Sequence, residues 1–299
     1  MDQKEDNYIL EYRLRDLDQD LHRRFTDTVF AMQNTLFHFK RLFPEYTDHS
    51  SLHSMSVINF CNQLIGPEQL ERLNADSIYS PLMACYLHDS GMGISMDQYL
   101  DFSKEIDMGD YFDRHPDATV EAVVRDFHQE YSAAFVRRFR EFLEIPSPEH
   151  EHAVIQVCRG HRKTDLFDPS EFPVHYRVPG GNEIYLPYLA SLIRLADEID
   201  VVAARNPVML YDIESFTDAH ELSFHKRHQA VRSLQVTEKA FILEVCPAEP
   251  EIEKMIESMV VKMQETLDLC RKATEKGSPF RIRQEKVVVR KAESSSVPE

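Results

Sequence analysis

Six residues spread along the chain, His53, His88, Asp89, His128, His161 and Asp197, are of the types that bind hard or borderline metal ions, and each lies in an apolar helical context. Imidazole and carboxylate without thiolate suit Zn, Fe, Mn, Mg or Ni at an open catalytic position, whereas closed structural zinc sites lean on cysteine. Six ligands exceed what one tetrahedral ion takes. Two ions sharing Asp89 account for the number, one held by His53, His88, Asp89 and Asp197, the other by Asp89, His128 and His161. One or two divalent ions are therefore the expected cofactor. Such an ion lowers the pKa of a bound water to about 7 and yields hydroxide at neutral pH.

The segments around these residues must bring them together. Ser80-Pro81 has the form of a helix start, Ser80 as N-cap and Pro81 at the first helical position, followed by the apolar run Leu82 to Leu87. Two glycines in Ser90-Gly91-Met92-Gly93 stop that helix just past His88-Asp89, where the negative end of the helix dipole favours a cation. His53 shares a helical face with Val57, Phe60, Cys61 and Leu64, and His128 with Val124, Tyr131 and Phe135. His161 follows Val157 and Cys158 by one turn, and Asp197 ends the nearly all-apolar run Tyr188 to Ala196. A lone inward histidine is ordinarily a satisfied core residue. Four of them with two inward carboxylates require pairing or a metal, because buried charge is costly otherwise.

The ordered set resembles the HD superfamily of metal-dependent phosphohydrolases, whose signature is an isolated His, an adjacent His-Asp pair on a helix and a distant Asp. The corresponding stretches are Tyr46 to Ser54, Tyr86 to Gly91 and Leu192 to Asp200; Arg125 to His128 and Arg159 to His161 are similar to the two extra histidines of binuclear members. The resemblance spans roughly Tyr46 to Arg205, about half the chain. It implies an HD-type helical bundle. In one place the chain departs from the pattern: many members carry a Lys shortly after the His-Asp pair, near the substrate phosphate, and here Met92 stands in that neighbourhood. Phosphate contacts must come from other cations, of which Arg125, Arg159, Arg162, Lys163 and Arg194 lie within a turn of a proposed ligand.

Composition narrows the function classes. A net charge of −17 over 299 residues argues against a general nucleic-acid binder, which needs a basic surface. A small phosphorylated substrate, a nucleotide being the expected class, is the simpler partner; assembly into a homo-oligomer is compatible with the sequence. The charged start Met1 to Asp6 lacks the apolar core of a signal peptide, and no apolar stretch approaches bilayer-spanning length, so the expectation is a cytoplasmic protein without a membrane partner. The five cysteines, odd in number and widely spaced, are expected to be free thiols.

The expected fold class is mainly α, a helical bundle with a small α+β C-terminal appendage. Residues 1–45 form an N-terminal helical segment, its pattern running from Tyr8 to Leu42; 46–205 the metal-binding core; 206–290 the appendage beyond Asn206-Pro207; and 291–299 a disordered tail. Met108 to Asp110 and His115 to Asp117 interrupt the helical pattern before His128 and are expected to form a solvated loop. Val174 to Val178 and Glu183 to Leu186 flank the turn Pro179-Gly180-Gly181-Asn182, a hairpin expected to lie near the helix of Asp197. In the appendage, Ala230 to Val236 and Phe241 to Val245 form a second hairpin, Glu251 to Lys272 an amphipathic helix and Ile282 to Val289 a strand. His220, His225 and His228, just before that hairpin, could contact substrate, although surface histidines are commoner.

The leading functional expectation is metal-dependent hydrolysis of a phosphoester in a nucleotide or related small phosphate. Asp89, His128 and Arg194 are its expected catalytic residues, and Arg125, Arg159 and Lys163 its substrate contacts. His49 adds to the site or supports it, and Asp200 orients a ligand. Two rivals share the ligand set: a di-iron oxygenase of the same superfamily, similar to myo-inositol oxygenase, and a nucleotide-binding sensor or effector module with little turnover, similar to HD modules of bacterial conflict and signalling systems.

Overall fold

A computed structural model describes residues 9–205 and 216–292. Tyr8, the Asn206-Pro207 boundary and residues 293–299 of the expected tail lie outside the described residues. The fold is mainly α. The N-terminal helical pattern is made by two helices: α1 (Ile9–Leu17) ends where Asp18 takes extended φ/ψ and its carboxylate caps α2 (Gln19–Leu36) by accepting from the backbone of Asp20 and Leu21. A 3-10 turn over Phe37–Arg41 then leads toward α3 (Ser51–Leu70), whose N-cap is Ser50. Leu14, Phe25, Met32, Leu36 and Phe39 of the expected stripe are buried.

At the centre lies α4 (Ala75–Leu87), in which every residue from Asp76 to Leu87 is buried. It begins six residues before the expected start. Asn74 is the N-cap, Pro81 sits inside the helix, and the Ser80 hydroxyl donates to the Asp76 carbonyl instead of capping. Proline is disfavoured there because it removes one ladder bond; full burial of the surrounding apolar residues overrides that cost. The C-terminal end is as expected, with His88 as C-cap and a 3-10 turn over Ser90–Gly93.

After the short α5 (Met96–Phe102) and α6 (Tyr111–Arg114), α7 (Val120–Phe139) and α8 (Pro148–Gly160) pack on each other, and α8 packs on α4. The loop residues Asp110 and His115 are exposed. A two-stranded hairpin, β1 (Tyr176–Arg177) and β2 (Glu183–Ile184), precedes α9 (Leu186–Glu198), which packs on α3, α4 and α8. The hairpin meets the start of α4, where the Asn74 amide donates to the Glu183 carbonyl and Asn182 to the Asp76 carboxylate. It joins the first residue of α9, whereas Asp197 is near the last. It does not wall the site.

The C-terminal part comprises α10 (Ala219–Ala230), antiparallel β3 (Val231–Val236) and β4 (Ala240–Val245), the long α11 (Pro250–Glu275), and β5 (Lys286–Lys291) parallel to β4. The last strand starts later than its expected Ile282. Helix α11 buries Ile252, Ile256, Met259, Met263 and Leu267 and packs on α9, so one apolar core runs from α1 to α11. Among the described residues no helix is long and apolar enough to cross a membrane, and all five cysteines are free, four of them buried.

Two glycines set the helix spacing that the site needs. A Cβ on Gly91 would lie 2.5 Å from the His128 carbonyl oxygen and 2.7 Å from the Ser132 nitrogen. A Cβ on Gly160 would lie 2.4 Å from the Ala190 Cβ. Gly91 thus lets the turn after His88-Asp89 touch α7, and Gly160 lets α8 touch α9. Gly91→Ala should cost about 1–3 kcal/mol through overpacking against backbone, measured as a lower midpoint in thermal denaturation; an unchanged midpoint would show that the contact is not tight.

Candidate metal centre

Each of the six residues predicted as ligands ends up at one place because a helix end or a helix face delivers it. His53 is in the first turn of α3, His88 caps α4 with Asp89 next in the chain, and His161 caps α8. Asp197 is in the last turn of α9. His128 lies in the middle of α7, just past Phe127, whose φ/ψ of −116° and 15° breaks the helix. That break leaves the Arg125 carbonyl to accept from His128 Nδ1 at 2.7 Å.

The ring nitrogens follow one rule. His53 Nδ1 donates to Asp200 at 2.6 Å, His88 Nδ1 faces the Ala84 and Cys85 carbonyls, and His161 Nδ1 donates to the Cys158 carbonyl. A carbonyl or carboxylate oxygen only accepts, so Nδ1 carries a proton in each ring, and wherever the ring holds no second proton Nε2 is left as a lone pair. All four Nε2 atoms then point at Asp89. His88 Nε2 lies 3.2 Å and His53 Nε2 3.6 Å from Asp89 Oδ2, while His128 Nε2 lies 3.6 Å and His161 Nε2 3.8 Å from Asp89 Oδ1. His53 Nε2 is also 3.3 Å from Asp197 Oδ1. The two carboxylate oxygens of Asp89 thus serve two separate groups, His53–His88–Asp89 and Asp89–His128–His161, both buried.

A divalent cation fits the residues present. Three buried polar atoms at the centre, His53 Nε2, His88 Nε2 and Asp89 Oδ2, have no hydrogen-bond partner. Native structures rarely leave such atoms unpaired without a functional reason. His128 Nε2 and His161 Nε2 are 2.9 Å apart with both Nδ1 protons already committed to carbonyls. Two lone pairs at that distance repel unless a cation sits between them. Buried His/Asp groups of this kind could hold one or two divalent ions; the partners behind each Nδ1 supply the orientation that metal-ligating histidines require.

The electrostatics agree. Burial pushes His128 down to about 4, helped by Arg162, and pushes His161 well below its ordinary value, so both are neutral, the ligating form. Burial would raise Asp89 and Asp197, but His88 beside the first and His53, 3.3 Å from the second, hold both carboxyls well below the usual range. Burial also pulls His88 down, yet the charge of Asp89 outweighs it and lifts His88 to about 9. Without metal, His88 is therefore protonated at neutral pH, and an ion must displace that proton. Metal affinity should rise as pH rises toward about 9, by about tenfold per pH unit for each proton displaced. Calorimetric titration with Mn from pH 6 to 9 measures this; an affinity flat across that range would rule out His88 as a ligand.

Beside the cluster is a cavity of about 310 Å³, lined by His49, His128, Asp197 and Met92 on the metal side. His49 is outside α3, its Nε2 is 3.9 Å from Asp89, and its Nδ1 donates to the Thr47 carbonyl at 2.6 Å. Asp200 holds His53 and accepts from Ser56 at 2.7 Å, which is the orienting position expected of it. A larger cavity of about 820 Å³ between α1, α3 and the β3–β4 turn contains none of the six residues.

The cations divide differently from expectation. Arg125 lines the cavity, its guanidinium 4.7 Å from the Tyr46 ring and 3.3 Å from Glu221. Arg162, another of the cations expected to contact phosphate, lines it too. Arg159 is outside, paired with Glu130 at 2.9 Å and Glu171 at 3.1 Å, and the exposed Lys163 is outside, 3.5 Å from Asp126. Arg194 is also outside: its guanidinium is buried and donates to the Gly160 carbonyl at 2.6 Å and the Thr164 carbonyl at 2.7 Å. It fixes the turn that carries His161 and touches nothing in the cavity. Three cations in the lining, Arg205, Arg227 and Lys262, were not singled out from sequence. His225 and His228 are buried, not at the surface, and His228 lines the cavity; His220 is exposed.

A family model described as HD-CE matches residues 43–274, which adds α10, β3, β4 and most of α11 to the expected 46–205 stretch. Neither the curated proteins nor the solved structures give a match. With the family model covering most of its length and the His/Asp cluster gathered as that kind of domain requires, the chain belongs to the HD-CE family.

Proposed function

We propose that the protein is a metal-dependent phosphohydrolase that cleaves a phosphoester of a nucleotide or related small phosphate by attack of water. The observation that carries the reading is charge. In a chain of net charge −17, the cavity beside the cluster gathers Arg125, Arg162, Arg205, Arg227 and Lys262 against Asp197, Glu198 and Glu221. A cationic enclosure next to a buried His/Asp cluster suits an anionic substrate whose developing charge must be neutralised.

His53, His88, Asp89 and Asp197 would hold one divalent ion, and Asp89, His128 and His161 a second. Ions held there supply Lewis acidity toward phosphoryl oxygens and lower the pKa of a ligating water to about 7. Arg162 and Arg125 orient and neutralise the phosphoryl group from the cavity wall. His49, held neutral because burial brings it down to about 3, keeps its Nε2 lone pair available to accept from the attacking water. Met92, where a phosphate-binding Lys is common, closes the wall with an apolar side chain. The Arg pair takes over that Lys's task.

The test is incubation of chelator-free protein with Mn and a panel of nucleotides and phosphomonoesters, with product followed by chromatography. Metal-dependent product that disappears on chelation is the expected result. Two irons per chain, O2 consumption and no phosphate release would replace this reading with the di-iron oxygenase, and stoichiometric nucleotide binding without product at high enzyme would replace it with the sensor module.

A further inference from the structure

Helix α10 places two adjacent residues in the cavity wall whose hydrogen-bonding is incomplete. His228 is 3 % exposed and its Nδ1 has no partner; the Nε of Arg227 is also buried and without one. Arg227 Nη2 lies 3.3 Å from His228 Nε2. A guanidinium only donates, so His228 Nε2 is the acceptor and the proton is on Nδ1. Burial, reinforced by Arg205 and Arg227, keeps this imidazole neutral. Two residues that line the cavity, Arg227 and His228, thus each hold a buried N–H donor, Nε and Nδ1 respectively, with no acceptor. Each unpaired buried donor costs free energy that an arriving acceptor recovers. The Arg227 guanidinium is held in place by the Phe224 ring 4.4 Å away, and Lys262 of α11 lines the same cavity.

We propose that Arg227 and His228, with Lys262, form a second acceptor-binding subsite, so that the substrate carries an anionic group besides the phosphoryl group at the metal cluster. This rests on the phosphohydrolase reading only in calling the cluster the reaction centre. The shared chemistry is that of anionic oxygens, and either a second phosphate or a carboxylate supplies it. Arg227 and His228 are then specificity-determining: they discriminate a substrate with two anionic groups from a simple phosphomonoester.

The experiment is calorimetric binding to Mn-loaded protein, freed of excess metal, of three probes: orthophosphate, pyrophosphate and phosphonoacetate. The wild type should bind pyrophosphate or phosphonoacetate at least about tenfold tighter than orthophosphate, the change expected for one hydrogen bond involving a charged group. The stronger of the two names the second group as phosphate or carboxylate. Arg227→Met and His228→Leu should bring the ratio toward one while Mn content stays at the wild-type value. His228→Asn, whose amide nitrogen stands near the Nδ1 position, should restore much of the ratio, which a merely structural role for His228 would not do. Circular dichroism identifies any variant that fails to fold, and the conclusion then rests on the others. A wild-type ratio near one, or a ratio that the folded variants leave unchanged, overturns the subsite. Turnover of p-nitrophenyl phosphate by the wild type separates the two claims: activity with no ratio leaves the hydrolase reading standing alone, and a variant-sensitive ratio with no activity leaves the subsite standing alone.

Discussion

Asp89→Ala should yield a folded protein that retains no divalent ion and has lost turnover by a factor on the order of 10³ or more. Asp89 is the one residue placed against both groups, with Oδ2 toward His53 and His88 and Oδ1 toward His128 and His161. Its removal takes a ligand from each. Lewis-acid stabilisation by a metal is worth several kcal/mol, and every 1.36 kcal/mol is about tenfold in rate. The fold does not depend on the side chain: Asp89 makes no helix-capping hydrogen bond, and Oδ2 has no hydrogen-bond partner. The turn is held instead by Ser132, whose hydroxyl donates to the His88 carbonyl at 2.5 Å and accepts from Gly91 N–H at 2.9 Å. Far-ultraviolet circular dichroism should match the wild type while metal analysis and turnover collapse. Retention of metal and activity together would remove Asp89 from the bridging position.

Arg194→Met should act in the opposite manner, through the fold first. Its guanidinium donates to the buried carbonyl of Gly160 and to that of Thr164, and a methionine leaves both without that donor. An unsatisfied buried carbonyl costs about 1–3 kcal/mol, and the loss at Gly160, added to that at the half-buried Thr164, should lower the midpoint of thermal denaturation by roughly 3–8 °C. Because the tether spans the turn with His161, the second ion should be lost before the first. A thermal midpoint at the wild-type value, with turnover abolished, would instead mark Arg194 as a group acting on substrate, the part that its isolation in an apolar run suggested.

The contrast between these two residues shows what could be read from the chain alone. The six ligand-type residues were legible because each is a costly group on an apolar stripe, and periodicity says which way a stripe faces. Asp200 was legible as an orienting group for the same reason. Arg194 stood out by that logic as well, and the logic was sound about burial. What it could not supply is the partner: two backbone carbonyls, one on the last residue of α8 and one in the turn after it, absorb the charge, and carbonyls leave no mark in a sequence.

Arg205, Arg227 and Lys262 were not legible, and His228 was legible only as a substrate contact weighed against a surface histidine, for a different reason. Arg227 and His228 lie on α10 and Lys262 on α11, on polar helical faces where charge is ordinary, and the packing of α10 on α11 and of α11 on α9 brings them to the cavity, while Arg205 ends a short 3-10 turn after α9. The signal available was weak: α10 has almost no amphipathic pattern, and Glu221, His225 and His228 of that helix are buried among polar neighbours. The start of α4 was misjudged because Ser-Pro is a strong local start signal, whereas Asn74 followed by Asp76 is an equally good cap and first turn that burial favoured. Gly91 and Gly160 were legible as punctuation but not as spacers, since the atoms they approach belong to distant helices.

The most direct test of the account is anomalous diffraction from crystals of the protein grown with Mn. Two peaks should flank the Asp89 carboxylate, one within ligand distance of His53, His88 and Asp197 and one within ligand distance of His128 and His161, separated by about 3.5–4 Å as in other two-metal sites. Peaks at other residues, or none at the cluster in crystals soaked at high Mn, would contradict it.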